Sequence, residues 1–149
     1  MKEELNLSIE DHKNATIEIS FLLNIFTKII SDRKRAFNSL GISSGREFAK
    51  KMPVMFDSND MKATIDQLIY YLKGGFDISS ELSEKQINFK ISRCALKNIC
   101  KLNSNELGND LCKLFHFYMN GMIIEITRKK FRMSIHETGE VCTIKHTMI

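Results

Sequence analysis

The chain has no tryptophan, one proline and seven glycines in 149 residues. So little proline and glycine excludes a collagen-like, linker-like or low-complexity polypeptide. No segment repeats at a fixed period, which excludes a solenoid or propeller array. Long apolar runs are missing as well. The most apolar stretch, Ile17 to Ile30, is broken by Glu18, Ser20, Asn24, Thr27 and Lys28 and cannot be an ordinary membrane span. Met1-Lys2-Glu3-Glu4 lacks the basic flank and apolar core of a signal peptide. The expected location is the cytoplasm, where thiols stay reduced. Charge of one sign does not dominate either: 22 Lys and Arg against 18 Asp and Glu leave +4. The densest basic cluster, Arg33-Lys34-Arg35, is short and reads as a solvated helix end, so nucleic acid is not an expected partner.

Several catalytic signatures are also absent. There is no GxSxG turn for a serine hydrolase. Leu40-Gly41-Ile42-Ser43-Ser44-Gly45 contains glycines but no phosphate-loop pattern with a following lysine. Gly41 and Gly45 are expected to serve helix ends and close packing. No CxxC pair marks a compact zinc finger. The carboxylates are scattered, with no acid–base pair among them.

What is present is enough for a core. Hydrophobic residues make up 43% of the chain, with ten Phe, which fits one domain spanning 1–149. Residues 1–14 are polar and expected to be loose, with at most a short strand. From Ala15 to Asn38 the apolar residues Ile19, Leu22, Leu23, Phe26, Ile29 and Ile30 recur at helical intervals. Ile17, Phe21 and Ile25 add a second apolar side. A helix apolar around most of its circumference is central or shared with a second subunit, which points to a homodimer.

Gly41 is expected to end that unit, and Ser43 or Ser44 to cap a short helix through Phe48 and Ala49, closed by Pro53. Asp57, Ser58 and Asn59 are cap residues for a helix with the stripe Met61, Ile65, Leu68, Ile69 and Leu72, stopped at Gly74-Gly75. Phe76 and Ile78, then Ile87, Phe89 and Ile91, alternate with polar residues as half-buried strands do. The connecting turn is expected in Ser79 to Lys85. Asn103 or Ser104 caps a helix bearing Leu107, Leu111, Leu114, Phe115, Tyr118, Met119 and Met122. A last hairpin pairs Phe131–His136 with Val141–His146 across Glu137–Glu140. Helices, strands, helix, strands imply an α+β fold with a mainly antiparallel sheet flanked by helices.

Residues 86–149 hold all four cysteines and three of the four histidines. Cys112 and His116 are four apart on a helix and share a face. Cys142 falls on the return strand, with His136 just across the turn. Thiolates and imidazoles suit zinc, and these four side chains converge if the helix packs over the hairpin. Cys94 and Cys100 follow a strand and belong to a loop near the same place. The alternative for every one of them is a small buried apolar residue. A nucleophilic role for Cys112 needs a nearby base and a lowered pKa, and only His116 is within reach.

Cys112, Gly121, a basic strand and Gly139-Glu140-Val141-Cys142 follow one another in an order that resembles the 4-vinyl-reductase-type domain family. Leu40-Gly41 with Ser44-Gly45-Arg46-Glu47-Phe48-Ala49 is similar to the family's Gly-x-x-x-Gly helix start, and Phe89-Lys90-Ile91-Ser92-Arg93-Cys94 to its strand ending in cysteine. The resemblance implies a ligand-binding fold related to nitric-oxide-signalling and vesicle-tethering proteins, often dimeric, in a stand-alone hydrocarbon-binding-like member. In the family's sensor members zinc is held by the helix cysteine, an acidic residue and two later cysteines. Cys112 matches the first ligand and Cys142 the last. His136 or Glu137 stands near the acidic position, and His116 or Cys94 would replace the missing ligand. Gly139 stands three rather than four residues before Cys142, and no cysteine lies between Cys112 and Cys142.

The resulting expectation is a small-molecule-binding or sensor protein rather than an enzyme. It would take a hydrophobic or aromatic ligand among Phe48, Leu68, Tyr71, Phe115 and Met119, in a cavity between helices and sheet. Its output would pass through a homodimer or a regulatory protein partner. The rival expectations are a reductase or hydrolase accessory enzyme with a catalytic cysteine, and a structural assembly subunit.

Overall fold

The computed structural model describes residues 8–33 and 36–149. Residues 1–7, 34 and 35 and the side chains of Glu18, Phe21, Leu22 and Asn24 lie outside the described residues. Of residues 1–14, expected to be loose, 1–7 therefore lie outside it, as do part of the basic cluster and the side chains of Phe21 and Leu22 of the first apolar pattern; from Ile9 onward the expected loose segment is instead helical.

Helix α1 spans Ile9–Ser31. It begins earlier than the apolar periodicity implies, because Ser8 and Asp11 form a reciprocal capping box that satisfies the first free N–H groups. A second helix, α2, runs Phe37–Lys51. Here the structure corrects the sequence reading. Gly41 does not end a helix and Ser43 and Ser44 do not cap one; all three are interior to α2. Helix α3, Met61–Leu72, starts one residue later than the expected caps: Asp60 accepts the Ala63 N–H at 2.9 Å. Asp57 still contributes, since its carbonyl accepts the Thr64 hydroxyl at 2.6 Å.

Strands β1 (Phe76–Leu82) and β2 (Gln86–Cys94) form the expected hairpin, with a shorter turn than Ser79 to Lys85. Next comes α4, Ala95–Leu102, a helix where the sequence reading places a loop. It is short and its cap residue, Cys94, makes no side-chain cap bond, so it carries no start signal. Asn109, not Asn103 or Ser104, caps α5 (Asp110–Thr127) by accepting from the Cys112 N–H at 3.2 Å. Arg128 ends α5 in the left-handed conformation, φ 58°. The last hairpin is β3 (Phe131–Glu137) and β4 (Cys142–Met148).

The four strands form one antiparallel sheet in the order β1-β2-β4-β3. The inner face carries Ile78, Ile87, Phe89, Ile91, Phe131, Cys142, Ile144 and His146, alternating with more exposed neighbours. Ile65 and Leu68 of α3 and Met119, Met122, Ile123 and Ile126 of α5 pack on it. The α+β architecture expected from the pattern is thus the one observed. Burial of these side chains supplies the main stabilisation, on the order of 2 kcal/mol for each fully buried aliphatic or aromatic group.

Helices α2 and α5 cross at glycines. A Cβ on Gly41 would meet the Phe117 Cβ at 2.6 Å. On Gly45 it would meet the Tyr118 carbonyl, and on Gly121 the backbone of Ile42. The Gly-x-x-x-Gly spacing puts Gly41 and Gly45 one turn apart on a single face, so close packing rather than chain reversal is their purpose. Two ion pairs on the buried Glu125 carboxylate pin the far end: Arg46 Nε, from a half-exposed side chain, donates to Oε2 at 3.0 Å, and the exposed Arg128 Nη1 to Oε1 at 2.7 Å. Arg46 beside it holds the Glu125 carboxyl below the usual range.

Candidate functional site

Helix α5 has two chemically different sides. At 3.6 residues per turn, Leu111, Leu114, Phe115 and Tyr118 share one side, and Cys112, His116 and Asn120 another. The first side closes a cavity of about 280 Å³. Leu23, Phe26, Thr27 and Ile30 of α1 form the opposite wall, while Leu40, Gly41 and Ser44 of α2 and Leu96 of α4 complete it. The lining is almost wholly apolar. The Thr27 hydroxyl already donates to the Leu23 carbonyl at 2.7 Å. Burial pushes the Tyr118 phenol up to about 12, so it stays neutral. Such a space suits a small apolar or aromatic molecule and repels ions.

Of the five ligand-lining residues predicted from sequence, Phe115 lines this cavity. Its ring also stacks on Phe76 at 4.7 Å, with the planes 5° apart. Phe48 and Tyr71 lie nearby, their rings 6.3 Å apart, and Phe48 is 5.7 Å from the Tyr118 ring. Leu68 and Met119 belong to the core between helices and sheet. The cavity lies between helices, and α1 and α4 supply walls that the sequence reading did not name. The signal was available in part: Leu23, Phe26 and Ile30 recur at helical spacing.

The other side of α5 gathers thiols at its start. Cys100 Sγ is 4.0 Å from Cys112 Sγ, and the Asn109 amide donates to Cys100 at 3.6 Å. A thiolate at Cys94 would be opposed by one at Cys112 or Cys142. All four cysteines are free thiols. Burial raises Cys94, and burial followed by the neighbouring Cys112 pushes Cys100 up to about 11. Raised thiols are weak nucleophiles. Cys100 is fully buried, so its alkylation by iodoacetamide is expected to be on the order of 100-fold slower in the folded than in the urea-unfolded chain. Mass-spectrometric counting of modified thiols over time checks this; equal rates would contradict the burial.

The zinc set implied by the resemblance was Cys112, Cys142, His116, His136 and Cys94. The fold brings Cys94, Cys112 and Cys142 into one neighbourhood, and adds Cys100. His136 does not join them: it is exposed on β3, its Nε2 3.2 Å from the Ser134 hydroxyl. Among the described residues no three His, Cys, Asp or Glu side chains form a group that could hold a metal ion.

Farther along that side, His116 and Asn120 lie one turn apart, and His146 is on the inner face of β4 close enough to His116 for their charges to interact; all three are buried. Burial pushes both imidazoles down to about 4, and at His146 the charge of a protonated His116 would add to the effect. Both stay neutral at pH 7. Sequence reading named His116 as a metal ligand or as a base beside Cys112 and gave Asn120 and His146 no site role. His146 sits in a strand alternating buried and half-buried residues, the one signal that could have found it.

An antiparallel four-stranded sheet covered by helices, with a helix-lined apolar cavity on one side of α5, defines an α+β fold. Residues 27–142 match the model of the L-2-amino-thiazoline-4-carboxylic acid hydrolase family, and the chain belongs to that family. The family has a 4-vinyl-reductase-like fold, so the resemblance read from Cys112, Gly121, Gly139 and Cys142 stands at the level of the fold. No curated protein matches the chain. Among solved structures, it is similar to the phenol-responsive sensory domain of the transcription activator PoxR, crystallised with phenol. That likeness has a TM-score of 0.60 at 14% identity, covering 89% of this chain and 74% of the other. Among the described residues, no helix is long and apolar enough to cross a membrane.

Proposed function

We propose that this chain binds a small apolar or aromatic molecule in the cavity between α1, α2, α4 and α5. The observation that carries the reading is the cavity itself: about 280 Å³, walled by leucine, isoleucine and aromatic side chains. The similar sensory domain holds phenol, a ligand of this class. Within the 4-vinyl-reductase-like fold, the motif order favours a ligand-binding member of that type. Helix α1 leaves Ile19, Ile25 and Ile29 about half exposed next to the cavity wall. In this reading a second copy covers them, and ligand occupancy is passed on through that dimer or a regulatory partner.

Toluene is the probe. Saturation-transfer NMR is expected to show it bound to the wild-type chain. Ser44→Phe, which fills the cavity from α2, is expected to weaken binding by about tenfold or more. Toluene that does not bind, or that binds the variant equally well, ends this reading. Sedimentation of Ile19→Lys/Ile29→Lys against wild type tests the dimer; an unchanged mass rejects it.

A second reading is favoured by family membership: hydrolysis of L-2-amino-thiazoline-4-carboxylic acid or a related ring. Burial holds His116 and His146 at about 4, so at pH 7 they are neutral groups that can hydrogen-bond a substrate but are weak bases. The raised thiols of Cys94 and Cys100 argue against covalent catalysis by those residues. Incubation with that compound, followed by mass spectrometry for the gain of one water, decides it.

A further inference from the structure

Among the described residues, five side-chain atoms are buried without a hydrogen-bond partner: both ring nitrogens of His116, both of His146, and Asn120 Oδ1. The three residues are 3%, 1% and 4% exposed. They come from two elements. His116 and Asn120 are one turn apart on α5, and His146 is on the inner face of β4, a central strand. A charge on His116 would oppose one on His146, so the two rings share one region of the interior. The Phe89 and Phe131 rings stand near-perpendicular to His146 at 5.3 and 6.4 Å.

Interior polar groups in native proteins are nearly always paired, and each orphan is costly. A neutral imidazole has one N–H donor and one lone-pair acceptor, and an amide oxygen accepts. The set therefore offers two donors and three acceptors with no net charge. One buried water makes about three hydrogen bonds, fewer than these five atoms require. Entry is possible from the edge of the sheet. Met133 lies directly across from His146 on β3, the edge strand, and is only half-buried. Its unbranched thioether side chain re-packs readily.

We propose that His116, Asn120 and His146 form an internal binding site for a small, neutral, planar group that carries a hydrogen-bond donor beside an acceptor, such as an amide or an amino-substituted nitrogen heterocycle. The aromatic walls favour planarity, and the uncharged, water-poor surroundings favour neutrality. The site is on the opposite side of α5 from the apolar cavity and does not depend on it. A 2-amino-thiazoline ring has this donor–acceptor pattern. Only the ring in its neutral form fits; the ionised carboxylate of L-2-amino-thiazoline-4-carboxylic acid is opposed by this uncharged interior, so the site stands independently of the hydrolytic reading.

The test uses the full chain with ¹⁵N-labelled histidine and two probes of similar shape. 2-Aminothiazole carries a donor beside an acceptor and, being aromatic, is not ring-opened; thiazole lacks the donor. 2-Aminothiazole is expected to shift the His116 and His146 imidazole signals and to bind about tenfold or more tighter than thiazole. His146→Phe and Asn120→Leu are expected to remove that preference, while Ser44→Phe keeps it. The comparison of probes on the unaltered chain stands even if a variant fails to fold. Equal binding of the two probes, imidazole signals that do not move (water alone occupying the site), or a preference that survives both substitutions overturns the proposal. Consumption of L-2-amino-thiazoline-4-carboxylic acid without discrimination between the probes rejects this site and leaves the hydrolytic reading intact. Discrimination without consumption does the reverse.

Discussion

Gly45→Ala and Gly121→Ala are each expected to lower the free energy of unfolding by about 3 kcal/mol. The sign is the informative part. In an exposed helix, Ala is better than Gly by about 1 kcal/mol. Here the added methyl has nowhere to go. At Gly45 it meets the carbonyl of Tyr118, and at Gly121 the backbone of Ile42. Both obstacles are main chain, which cannot rotate aside, so α2 and α5 must separate and lose the contacts around them. Gly74→Ala is the control: nothing lies within 4 Å of a Cβ there. It is expected to be neutral or stabilising by about 0.5 kcal/mol through the unfolded chain. Urea unfolding of the three variants checks the contrast. Stabilisation at Gly45 or Gly121 would mean that the two helices are not in this close contact. The cavity makes this matter for function, since Gly41 and Ser44 line it from the same helix.

Acidification from about pH 6.5 to about pH 4.5 is expected to cost the fold several kcal/mol, before most carboxylates titrate. His116 and His146 are held neutral by burial, each pushed from 6.5 down to about 4. In that window the unfolded chain binds protons that the folded chain does not. Their contribution is complete above the unfolded pKa and is lost as the pH falls towards the folded value. One pKa unit corresponds to about 1.4 kcal/mol, so each ring accounts for at most about 3 kcal/mol. Glu125 acts lower: its depressed carboxyl contributes above its unfolded pKa and loses that contribution only below about pH 4.5. Urea midpoints measured across this range should fall for wild type and stay nearly level above pH 4.5 for His116→Leu/His146→Leu. A wild-type profile that is flat between pH 6.5 and 4.5 would show that the imidazoles are not buried as neutral rings.

Helix α3, both hairpins and α5 were legible in the sequence because each carries a complete local signal. Alternation marks Ile87, Phe89 and Ile91, and a four-residue rhythm marks Leu107 to Met122. Helix α4 was not legible. Its eight residues are too few for periodicity to stand out, and Cys94 supplies no side-chain cap. Gly41 and Gly45 misled in a specific way. A glycine pair after an apolar helix is the usual mark of a helix end, and only the approach of α5 reveals it as a contact surface. Of the expected ligand-lining residues, Phe115 lines the cavity because its long apolar ring lies on the side of α5 that α1 faces.

By itself, the sequence determined the class of the molecule. Periodicity and turn chemistry are local, and they specified helices, two hairpins and an antiparallel sheet. The motif order of Cys112, Gly121, Gly139 and Cys142 extended this to the 4-vinyl-reductase-like fold. Tertiary structure alone decided which residues meet. It placed Cys100 4.0 Å from Cys112, twelve positions away. It left His136 on the surface and buried His146, though both are strand histidines in one hairpin. It opened a cavity on one side of α5 and gathered unpaired polar atoms on the other. The physical reason is that burial and partner choice depend on how separate elements pack, and no local pattern encodes which face of α5 meets α1 and which meets the sheet.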